Sequence, residues 1–234
     1  NEQEMHFRQL FATLKIMGVP QAEKCYHLGY GLLTLPTGKM SSRQGTVVNA
    51  DDLLQELEQL ALSEYDKRNP ALGEEEIKRR SNVIARAALM FYMVKQDAKK
   101  ELVFDPQESI SFDGQTGPYL LYTAARILSI LKKSTHTADI QKAGLLTLPR
   151  EKELLALIRQ KKEMIESSLT HYSPHILGHY LLSLANTFNT YYHENKIIQE
   201  NPELENARLA LVNGVRHVLE EGLYLLGIET LQEM

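Results

Sequence analysis

Lys39, Ser41, Ser42 and Arg43 stand together in Gly38-Lys39-Met40-Ser41-Ser42-Arg43-Gln44-Gly45, a glycine-bracketed stretch carrying an ammonium, two hydroxyls and a guanidinium. Such a set can hold phosphates. When a nucleoside triphosphate is attacked at its α-phosphorus, charge builds on the departing pyrophosphate, and positioned cations and hydroxyl donors stabilise it as it develops. Gly38 and Gly45 permit turn conformations, so the loop could close over a ligand and open again. A solvated surface loop is the competing reading, because short basic motifs also match by chance. The preceding apolar run, Tyr30-Gly31-Leu32-Leu33-Thr34-Leu35, is short and ends in Pro36-Thr37-Gly38, so it is predicted as a strand entering a turn.

A second group lies farther along. Tyr119, Tyr122 and Arg126 fall at i, i+3 and i+7, which sets two phenols and a guanidinium along one helical face. Unpaired RNA bases are held by stacking on aromatic rings and arginine planes, although the same spacing also suits a core face. His175 and His179, four apart, offer too few ligands for zinc, with no H-E-x-x-H glutamate beside them.

The elements that must position these residues are mostly helical. Residues 5 to 18 read as an amphipathic helix ending at Gly18-Val19-Pro20, followed by a strand region from Cys25 to Leu35 and the loop. Asp51-Asp52 caps a helix through Leu53, Leu57 and Leu60; Asn69-Pro70-Ala71-Leu72-Gly73 breaks the chain, and Glu74 to Lys99 is predicted as one long helix. Beyond a connection at Ser109 to Pro118, helices are expected over 119–133, 151–168, 174–192 and 202–227. Short loops between them predict a four- or five-helix array over residues 114–234.

Lys39-Met40-Ser41-Ser42-Arg43 resembles the K-M-S-K-S signature of class I aminoacyl-tRNA synthetases, with Ser42 in place of the second lysine and Arg43 the nearest cation to replace its charge. Ser111-Phe112-Asp113-Gly114-Gln115-Thr116-Gly117-Pro118-Tyr119-Leu120-Leu121-Tyr122-Thr123-Ala124-Ala125-Arg126 resembles the T-G-P-Y-x-x-Y-x-x-x-R segment opening the anticodon-binding domain of arginyl-tRNA synthetases. Ala207-Arg208-Leu209-Ala210-Leu211, Leu225-Leu226-Gly227-Ile228 and Met234 are similar to the end of that family. The resemblance implies a mainly α chain: the C-terminal end of a Rossmann-like α/β catalytic domain over 1–50, connecting helices over 51–113, and an all-α anticodon-binding bundle over 114–234. It implies ATP, with Mg2+, and L-arginine as substrates and the arginine tRNA as partner of a cytoplasmic, monomeric full-length enzyme. Gly38, Lys39, Met40 and His6 would meet the nucleotide, Gln3 the arginine, and Lys39, Ser41, Ser42 and Arg43 the reacting phosphates. Tyr119, Tyr122, Arg126, Phe188, Tyr192 and Met234 would meet the tRNA. The chain opens at Asn1 without the H-I-G-H signature of the family, so it is expected to be a C-terminal piece that does not catalyse by itself.

Composition agrees with a globular protein: 234 residues, 43% hydrophobic, are enough for a sizeable core. No apolar run approaches the roughly 20 residues of a membrane span. One cysteine, Cys25, excludes an internal disulfide and is expected to be packed. The net charge of −4 hides a segregation: residues 120–165 hold nine Lys/Arg against four acids, which reads either as a basic stripe on an otherwise acidic domain or as an ordinary solvated helix face. A fragment of another class I synthetase and a non-catalytic helical module for protein partners are the alternatives; zinc-binding cysteines would mark the first and indifference to nucleic acid the second.

Overall fold

The computed structural model describes residues 3–36, 49–68 and 73–234. The signature loop, from Thr37 to Val48, and the break at 69–72 lie outside the described residues. Eight α-helices and two very short strands order the rest: α1 (Glu4–Ile16), β1 (Leu33–Thr34), α2 (Ala50–Arg68), α3 (Glu74–Val94), β2 (Leu102–Val103), α4 (Pro106–Ser109), α5 (Gly117–Lys133), α6 (Pro149–Thr170), α7 (Pro174–Glu194) and α8 (Pro202–Leu225).

The strand predicted over 25–35 is realised over two residues only. Leu33 and Thr34 pair in parallel with Leu102 and Val103. Gly31 is pressed against the chain approaching β2: a Cβ there would lie 2.1 Å from the carbonyl oxygen of Lys100, while the Gly31 amide donates to the Ala98 carbonyl at 2.7 Å. Cys25 is exposed rather than packed.

α3 is the hub. It packs against α2, α5 and α7, and its small residues Ala85, Ala87 and Ala88 are buried between bulkier Ile84 and Phe91. It stops at Val94, short of the predicted Lys99, because Asp97 forms a turn, its carboxylate accepting from the Lys99 amide at 2.9 Å. At the start of α2, the Asn49 side chain accepts from the Asp51 amide at 3.3 Å, while Asp51 and Asp52 occupy the first turn, where the helix dipole favours acids.

The entry to α5 is built residue by residue. Thr116 caps the helix, its hydroxyl accepting from the Tyr119 amide at 3.1 Å and donating to the Ser111 carbonyl. Gly117 lets α5 approach α3, since a Cβ there would fall 2.1 Å from the Ala87 carbonyl oxygen. Pro118 sits in the first turn, where no amide hydrogen is missed. The motif is therefore a cap, a close approach and a helix start.

α5 to α8 form the four-helix array over the C-terminal half, with a short 3-10 helix, Ile140–Leu145, laid on α8 in the connection before α6. At the meeting of α6, α7 and α8 the Glu151 carboxylate is fully buried. It accepts from Arg208 at 2.9 Å, from the Tyr191 hydroxyl at 3.1 Å and from the Leu148 amide at 3.0 Å. Burial pushes the Tyr191 phenol above its ordinary range. The charge is thus paired and satisfied on every side, as burial requires.

Candidate nucleic-acid interface

α5 and α7 lie against one another, and their contact sets the site. Tyr122 on α5 and Tyr192 on α7 are 36% and 38% exposed, so each ring keeps one side for solvent. The Arg126 guanidinium carbon lies 4.7 Å from the centre of the Tyr122 ring and 5.2 Å from that of Tyr192, cation–π distances to both. Phe112 meets Tyr122 edge-on at 6.4 Å. The arrangement offers flat faces beside a fixed positive charge, which suits an unstacked base next to its phosphate.

These residues open onto a groove of about 880 Å³. Arg126, Lys132, Lys133 and Lys196 line it against two carboxylates, Glu194 and Glu233, so four cations face two anions. The last residues close one side. Arg80 of α3 donates to the Glu233 carbonyl at 3.0 Å, and the Lys132 ammonium meets the Glu233 carboxylate at 2.5 Å. That ion pair, aided by Arg80, holds the Glu233 carboxyl below the usual range. Met234, the next residue, lines the groove and is partly buried against the core.

The structure thus brings Tyr122, Arg126, Tyr192 and Met234 to one place. Tyr119 stands beside them but half-buried, its hydroxyl engaged with Asn186 at 2.7 Å and Asn189 at 2.9 Å. Phe188 corrects the expectation: it is fully buried, its ring stacked behind Tyr192 at 6.2 Å, so it supports the exposed ring and cannot itself meet RNA. The basic stripe is also corrected. Lys132, Lys142, Arg150, Lys161 and Lys162 are paired with Glu233, Glu203, Glu153, Glu221 and Glu166, so much of the excess over 120–165 is neutralised locally.

Gln3 and His6 are exposed at the start of α1. A smaller hollow of about 210 Å³ lies nearby, lined by Glu4, Arg8, Phe11, His27, Gly29 and Lys99, with His27 stacked on Phe7 at 4.2 Å. Gly38, Lys39, Met40, Ser41, Ser42 and Arg43 fall outside the described residues. His175 and His179 face each other with ring centres 5.9 Å apart; among the described residues no group of three or more His, Cys, Asp or Glu could hold a metal ion. Asn189, buried behind Arg126, and Lys196, which lines the groove, are not singled out by the sequence, since an asparagine inside a helix and a lysine in a loop carry no periodic signal.

Comparison with known proteins gives the class of the chain. Residues 1–106 match the family of class I tRNA synthetase catalytic domains of the arginine type, and residues 120–234 match the DALR anticodon binding domain. The arginine–tRNA ligase of Flavobacterium psychrophilum is 38% identical over 237 residues, covering all of this chain and 39% of that protein. That of Treponema pallidum is 38% identical over 248 residues, covering all of this chain and 41% of that protein. The solved arginyl-tRNA synthetase of Thermus thermophilus superposes with a TM-score of 0.85 at 32% identity, over 96% of this chain and 38% of that one. The chain belongs to the arginyl-tRNA synthetase family and matches the C-terminal part of its relatives. It spans about two fifths of the length of the curated relatives it matches.

Proposed function

We propose that this chain supplies the tRNA-anticodon grip and the pyrophosphate-stabilising loop of an enzyme that activates L-arginine with ATP and transfers it to the arginine tRNA. The observation that carries the reading is the solvent-open set of Tyr122, Arg126 and Tyr192 on a groove in which four cations face two carboxylates. Stacked rings with a fixed guanidinium hold splayed bases, and surrounding lysines attract the backbone. Met234 and Tyr119 complete the anticodon contacts, while Phe188 backs them from the core. In the catalytic part, Lys39, Ser41, Ser42 and Arg43 stabilise the departing pyrophosphate, Gly38, Met40 and His6 meet the nucleotide with its Mg2+, and Gln3 meets arginine.

A boundary near 113–114, ahead of an anticodon domain at 114–234, is supported by the family matches, which stop at 106 and resume at 120; the split of the first part into a catalytic end at 1–50 and connecting helices at 51–113 is proposed from the helical pattern of the sequence. Family membership supports a cytoplasmic setting and a monomeric full-length enzyme. Among the described residues no helix is long and apolar enough to cross a membrane. A chain of about two fifths the length of its relatives is proposed to bind tRNA without catalysing arginine-dependent pyrophosphate exchange.

Titration of the chain with arginine tRNA, an anticodon-altered version and an unrelated tRNA tests the reading. Preference for the intact arginine anticodon, weakening as salt rises, is the expected result. Equal affinity for all three would exclude anticodon reading by this groove.

A further inference from the structure

Asn189 is 9% exposed on α7, behind the Arg126 guanidinium, and every hydrogen-bonding group of its amide facing α5 is used. Its Oδ1 accepts from Arg126, and its Nδ2 donates to the Tyr119 hydroxyl and to the Thr123 hydroxyl, both at 2.9 Å. The neighbours dictate this orientation. Tyr119 spends its proton on Asn186 at 2.7 Å and Thr123 spends its own on the Tyr119 carbonyl at 2.9 Å, so both oxygens present lone pairs to the amide nitrogen. A guanidinium only donates, so the amide oxygen must face it. The amide cannot flip without setting donor against donor at Arg126.

We propose that Asn189 is a positioning residue that locks the Arg126 guanidinium beside the Tyr122 and Tyr192 rings, so that the cation and both stacking faces are pre-set before RNA arrives. The inference rests on the anticodon-grip reading for its consequence, but its geometric content stands apart from it. Arg126 has several rotatable bonds and a half-exposed position, and ordering such a side chain on binding would weaken the grip. Asn189 holds it from the buried side, leaving the outer edge of the guanidinium for a base or phosphate. The neighbouring Asn186 extends the same chain to Tyr119, so α7 presets two α5 side chains with two amides one helical turn apart.

Two readouts test this on the intact chain. In NMR of the 15N-arginine-labelled protein without RNA, the Arg126 guanidinium should rotate slowly in the parent and in Asn189→Asp, which keeps an acceptor, and freely in Asn189→Ala. In binding to arginine tRNA, Asn189→Ala should weaken affinity on the order of tenfold in the parent and have no effect in an Arg126→Ala background, because both changes act through one group. Asn189→Asp should bind weakly despite a held guanidinium, since the added carboxylate cancels its charge and reduces the salt slope by about 0.7. Equal guanidinium mobility in the parent and Asn189→Ala would overturn the proposal, as would an equal affinity loss in both backgrounds, which marks a packing role. If Arg126→Ala leaves RNA affinity unchanged, the anticodon-grip reading fails, and guanidinium mobility alone still decides whether Asn189 holds it. Should Asn189→Ala not fold, Asn189→Asp carries the test, and a mobile Arg126 in that variant refutes the lock.

Discussion

Tyr122, Arg126 and Tyr192 each keep one side against the helices and another toward water, and that division separates the proposed binding residues from their support. Tyr122→Ala or Tyr192→Ala removes a stacking face and should cost about 1–3 kcal/mol of tRNA affinity with little change in melting temperature. Phe188→Ala should do the opposite at the level of the fold, lowering unfolding free energy by about 3–5 kcal/mol because it empties a filled core site. Paired melts and tRNA titrations of the variants check the contrast. A periodic pattern in the sequence could place Phe188 and Tyr192 on one face, as residues four apart, but not say which ring is covered. That depends on how far α5 overlaps α7, which only tertiary packing decides. Tyr119, Tyr122 and Arg126 were legible as a face for the same reason, while Asn189 was not, because its role comes from partners 63 to 70 residues away.

Helices long enough to show several turns of apolar periodicity were legible to within a few residues, and elements defined by a neighbour were not. β1 pairs over two residues, and β2 and α4 have no periodic signal at such lengths. The Thr116-Gly117-Pro118 entry to α5 makes a definite prediction: Gly117→Ala drives a methyl into the Ala87 carbonyl and should destabilise by about 1–3 kcal/mol, read as a lowered urea midpoint. Replacing Arg208 by Ala should cost about 3–5 kcal/mol, since it leaves Glu151 charged, buried and short of its main partner. Glu76 at the start of α3 supplies a pH test. Arg79 and then Arg80 hold its carboxyl down at about 2 against an ordinary 4.5. A depressed carboxylate stabilises the fold above its unfolded pKa and loses that contribution as pH falls through the folded one. Stability should therefore decline from pH 4.5 toward about 2, and Glu76→Gln should flatten part of that decline in acid-dependent urea titrations.

For the molecule as a whole, a net charge of −4 coexists with a groove where four cations face two carboxylates, so the proposed attraction to RNA is confined to one face. α3 links the N-terminal and C-terminal helices: it packs on α2, α5 and α7, and its Arg80 reaches the Glu233 carbonyl beside Met234. The segregation of charge was visible in the sequence as an excess over residues 120–165, but its extent was overstated, because ion pairs such as Lys142 with Glu203 and Lys161 with Glu221 form between helices distant in sequence. On the proposed function, anticodon bases lie on the Tyr122–Arg126–Tyr192 face. The direct measurement is photocrosslinking with arginine tRNA carrying 4-thiouridine in its anticodon loop, followed by mass spectrometry of the attached peptides. Adducts on the α5 peptide with Tyr122 and the α7 peptide with Tyr192 are the predicted result. Adducts confined to α2, or to the face of α6 away from the groove, would contradict it.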